Sequence, residues 1–65
     1  MKIDQIANRS ASVSFTEAEL ILINNALNEL LHGLDVPEFV TRLGATRQEA
    51  KELLHQIGLV LSKMD

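Results

Sequence analysis

Apolar and polar positions alternate along this chain with two different periods. Between Leu20 and Leu31 the residues Leu20, Leu22, Ile23, Ala26, Leu27, Leu30 and Leu31 recur at helical spacing and sweep about half the circumference of the helix they predict. Between Ala50 and Met64 a narrower stripe, about 120° wide, collects Ala50, Leu53, Leu54, Ile57, Val60, Leu61 and Met64, as expected of a helix with one face on a core. Ser10-Ala11-Ser12-Val13-Ser14-Phe15 repeats every second residue, which predicts a short half-buried strand.

Three start signals fix where the helices begin. Thr16 followed by Glu19, and Thr46 followed by Glu49, are capping boxes. In each, the hydroxyl accepts from the third backbone N–H and the carboxylate accepts from the N–H of the cap. Asp35 and Glu38 repeat the spacing, with Leu34 and Phe39 as a hydrophobic staple and Pro37 in the first turn, where its missing N–H is harmless. Gly33 is read as a helix stop in left-handed conformation, and the second helix is read as ending near Leu43 before Gly44. The expectation is an all-α fold with helices over about 16–33, 36–43 and 47–63 in one domain, residues 16–65, behind an N-terminal arm of residues 1–15. Within that arm the strand at residues 10–15 has no visible partner in the chain, so it pairs with a second copy or lies extended over the helices.

The first helix is apolar around too much of its girth. Ile21 falls outside even its broad stripe, among Asn25, Asn28 and His32, and Leu59 is a similar outlier on the last helix. Each Leu or Ile left bare forgoes roughly 1.5–3 kcal/mol of burial. One short and one medium helix cannot cover this surface, so a homodimer, intertwined or side by side, is expected. Its candidate interface comprises Val13, Phe15, Leu20, Ile21, Leu22, Ile23, Leu27, Leu30 and Leu59.

Composition narrows the function. A chain of 65 residues with 46% hydrophobic residues is ordinary for one small globular domain and too short for a cofactor cleft between lobes. It has no Cys, which excludes disulfides and thiolate metal sites. Glu29-x-x-His32 and Glu52-x-x-His55 have the spacing of bundle metal ligands, but both pairs lie on the polar sides of their helices and are read as solvated surface. With no glycine-rich phosphate loop and no Ser, His and acid arrangement, neither a cofactor nor an enzymatic activity is expected. The longest apolar run, Leu20 to Ile23, falls far short of the ~20 residues a membrane helix needs, and the default expectation is a soluble cytoplasmic protein. The net charge of −3 gives no overall attraction for a polyanion.

Two stretches nonetheless resemble DNA-binding families. Val36 to His55 resembles a helix-turn-helix segment: a short helix, a turn containing Gly44, and a capped second helix, with Phe39, Leu43, Ala45, Ala50 and Leu53 at the packing positions. The resemblance implies a recognition helix that presents Thr46, Arg47, Gln48 and Lys51 to base edges. It departs from the family in having Val40 at a small-residue position, and Glu49 and Glu52 would face phosphates. The Ser10 to Phe15 alternation ahead of helices also looks somewhat like the opening of a ribbon-helix-helix repressor, with Arg9, Ser10, Ser12 and Ser14 as the groove-facing side. The leading expectation is a non-enzymatic homodimer that binds an unidentified protein, as an adaptor, regulator or toxin-neutralising partner. DNA-binding transcription regulation is the alternative.

Overall fold

The computed structural model describes residues 1–64. It corrects the all-α expectation, because the N-terminal arm is an antiparallel hairpin and the fold is α+β. Strand β1 (Lys2–Ala7) pairs with β2 (Ser10–Ser14), so the alternating stretch finds its partner inside the chain, in residues whose apolar pattern hides it. Ile3 and Ile6 are an odd number of positions apart, and in a regular strand they would face opposite sides. A β-bulge between Ile3 and Gln5 inserts Asp4 as an extra residue and restores the parity. Ile3 then stands opposite Val13 and Ile6 opposite Ala11 on one face, while Gln5 opposite Ser12 and Lys2 opposite Ser14 form the other. Asn8 and Arg9 make the turn, with Arg9 held left-handed at φ 69° and no glycine to ease it. Ser14 Oγ donates to the Asp4 carboxylate at 2.6 Å, which pins the bulge from across the ladder.

Helix α1 (Glu17–Asn28) opens on the Thr16 box. The Glu19 N–H donates to Thr16 Oγ1 at 3.2 Å, and the Thr16 N–H donates to the Glu19 carboxylate at 2.9 Å. Its end differs from the expected stop. Glu29–Gly33 is a π turn, closed by the Leu34 N–H donating to the Glu29 carbonyl at 2.8 Å, and Leu34 leaves in extended conformation. Gly33 is not left-handed; among the described residues Gly44 is the glycine with positive φ, at 72°.

Helix α2 (Phe39–Leu43) is shorter than the expected 36–43, and the Asp35–Glu38 box does not form. Val36 precedes Pro37, whose ring disfavours helical backbone at the residue before it, so the chain cannot enter a helix at 36. Glu38 instead turns left-handed at φ 54° and starts the helix without a side-chain cap. Helix α3 (Arg47–Ser62) begins on the Thr46 box, with Glu49 N–H to Thr46 Oγ1 at 3.1 Å and Thr46 N–H to the Glu49 carboxylate at 2.9 Å.

The buried cluster is small. Leu31 from the π turn, Phe39 from α2 and Ala50 from α3 meet where the end of α1 approaches the start of α3, with Leu30, Val36 and Leu54 packed around them. Leu20 is also buried, and among the described residues no large side chain is fully enclosed. On α3 the flank bearing Ala50, Leu54, Ile57 and Leu61 is buried or half-buried, while Leu53 and Val60 on the other flank are exposed. No helix of the described residues is long and apolar enough to cross a membrane.

Candidate interaction surface

Three apolar regions lie open. The first is the hairpin face, where Ile3 is 58% and Ile6 72% exposed, Ala11 is exposed and Val13 half-buried. The second is the outer side of α1, where Leu22 is 70% exposed between exposed Ala18 and Ala26 at one-turn intervals, with Ile21 alongside at 43%. The third is an open groove of about 400 Å³ between the end of α1, α2 and the first turns of α3, lined by Leu27, Leu30, Phe39, Leu43, Ala45 and Leu53 and edged by Glu49.

Among the expected interface residues, Leu20 is buried within its own protomer, and Val13, Phe15, Ile23, Leu27 and Leu30 are half-buried. Ile21, Leu22 and Leu59 are exposed. Ile3 and Ile6, the most conspicuous apolar side chains of the hairpin, were not among those candidates. The signal that could have found them is the pair of isoleucines ahead of Asn8-Arg9, a turn-forming position facing an alternating strand.

The four residues of the helix-turn-helix resemblance lie together in the first turns of α3, each already engaged or flanked by acid. Thr46 is the cap. The Arg47 guanidinium lies over the Phe39 ring, 4.5 Å from its centroid, a cation–π contact that joins α3 to α2. Gln48 Nε2 donates to Glu52 at 3.4 Å, and Lys51 stands beside Glu52 in a shallow hollow with His55. Among the described residues no three metal-ligating side chains gather, and Glu29 with His32 lines a hollow separate from that of Glu52 and His55.

Two carboxylates are acidified, both at helix starts. Glu19 is lowered to about 2, first by the hydrogen bond from the chain's N-terminal ammonium on Met1 and then by the Thr16 backbone. Glu49 is lowered by the Thr46 backbone N–H and the Thr46 hydroxyl. The Glu19 contact has a mechanical role as well, since one carboxylate caps α1 and ties down Met1, the residue just ahead of β1.

The molecule is wide and flat, 35 × 32 × 16 Å, with a radius of gyration of 13.2 Å. A compact chain of this length would have a radius of gyration of about 10.7 Å. Its solvent-accessible surface is 5215 Å². A compact monomer of the same mass would expose about 4,100 Å². Comparison of the chain with protein-family models, with curated proteins and with solved structures found no match.

Proposed function

We propose that this protein is a non-enzymatic interaction module that works as a homodimer and engages a further protein through the apolar surface left over. The observation that carries the reading is the surplus of surface. The protomer exposes 5215 Å², about 1,100 Å² more than its mass calls for, and a stable interface removes about 800 Å² from each partner. The surplus is apolar where it matters, on the hairpin face, the outer side of α1 and the interhelical groove. Covering one of the three by self-association leaves the others for a partner.

Sedimentation equilibrium of the full chain tests the reading. A mass of twice 7.2 kDa is expected. A wild-type mass of 7.2 kDa at millimolar loading overturns it. A gel shift on random duplex at low salt separates the DNA-binding alternative. Salt-sensitive retardation that Arg47→Glu abolishes would replace the interaction-module reading with that of a regulator using the start of α3.

A further inference from the structure

We infer that the open β2 edge of the hairpin is paired with a second copy of this chain, so that two hairpins form one four-stranded antiparallel sheet about a twofold axis at Ser12. This rests on the homodimer reading above and says where its seam lies.

The two outer edges of the hairpin are unlike. On β1 the bulge at Asp4 breaks the regular spacing of outward backbone groups, and Lys2 and Asp4 place charges along the strand. Bulges and charged side chains are the devices that keep an edge from accepting another strand. On β2 none of these is present: Ser10-Ala11-Ser12-Val13-Ser14 has no charge, no proline and no irregularity of its own. It is the open edge of the pair.

The sequence of β2 is also compatible with its own reverse. Antiparallel pairing centred on Ser12 sets Ser10 opposite the partner's Ser14, Ala11 opposite the partner's Val13, and Ser12 opposite the partner's Ser12. Every pair then matches face to face. Ala11 and Val13 stay on the side that already carries Ile3 and Ile6, and the serines stay on the other with Gln5. No like charges meet, and no bulky side chain crosses the axis.

The energetics point the same way. A two-stranded hairpin is marginal in water unless further strands or a covering helix support it. Here no residue of β1 or β2 is buried, and the strands pack chiefly on each other. Two copies supply four strands and one continuous apolar face with four isoleucines.

Ser12 is the position to test, because a residue on the axis meets itself. Ser12→Lys and Ser12→Glu are each expected to weaken self-association about tenfold or more through like-charge opposition. An equimolar mixture of the two is expected to restore association to the wild-type level as a heterodimer. Nuclear Overhauser contacts between Ile3 and Val13 and between Ile6 and Ala11 should persist in both variants, showing that the hairpin itself is intact. If both variants associate as tightly as wild type, the β2 seam is wrong while the homodimer stands. If the mixture stays dissociated, the twofold placement at Ser12 is overturned. A monomeric wild-type chain overturns the homodimer and the seam together.

Discussion

The helical body and the hairpin of this protein are stabilised in different ways. The body has two reciprocally capped helices and a buried cluster, with Phe39 between the π turn and α3. The hairpin has a ladder, a pinned bulge and a tie from Met1 to Glu19, yet all its strand residues are exposed or half-buried. The difference teaches that hydrogen bonds define the hairpin's shape while it gains little of the burial that holds the helices together. An amide–carbonyl pair exchanged against water nets only about 0.5–1.5 kcal/mol, whereas burial of one Ile contributes roughly 1.5–3 kcal/mol.

The sharpest way to break the contrast is to remove the body's core. Phe39→Ala should cost about 3–5 kcal/mol, enough to unfold most of so small a domain in urea. Helical circular dichroism is then lost at low denaturant, and a wild-type midpoint would mean that the Phe39 cluster is not what holds the helices. Next in size are the caps. Thr46→Ala should destabilise α3 by about 1 kcal/mol, read from the urea midpoint, with no change in the hairpin's amide exchange. Acid sharpens the same comparison. The Glu19 and Glu49 carboxyls titrate below their ordinary value of 4.5 when folded, so their contribution is complete above that pH and fades as pH falls through it. For Glu19 the loss extends down to about 2. Since Glu19 alone also holds Met1, hairpin amides near residue 2 should lose protection in this window, and Glu19→Gln should remove that pH dependence. The smallest expected effect is a gain. Arg9→Gly relieves the left-handed turn at φ 69° and should stabilise the hairpin by about 0.5–1 kcal/mol, visible as slower exchange of the β1–β2 ladder with the helices unchanged.

What was legible in the sequence follows the range of the forces involved. The starts of α1 and α3 lie where Thr16 and Thr46 place them, because a capping box is complete within four residues and needs nothing from the rest of the fold. The second box fails for an equally local reason, Pro37 acting on Val36, which the spacing of Asp35 and Glu38 conceals. The hairpin was hidden by two departures from regularity: a bulge that turns the Ile3–Ile6 spacing from out of phase to in phase, and a turn built on Arg9 where glycine would have announced it. Of the candidate surface, helical periodicity marked Ile21, Leu22 and Leu59, which are exposed. It also marked Leu20, which is buried in its own protomer, since a broad stripe does not say which of its margins the remaining helices will cover.

The asymmetry between the two outer strands bears on how far assembly can run. An edge that accepts its own copy invites endless addition, the route to fibrils, unless each addition uses up the adhesive side. In the dimer proposed above, joining two β2 strands would leave only the two β1 margins outward, each carrying the irregularity at Asp4. In the proposed dimer, growth would therefore terminate at a pair. The one extra residue that brings two isoleucines onto a common side would then also block further strand addition.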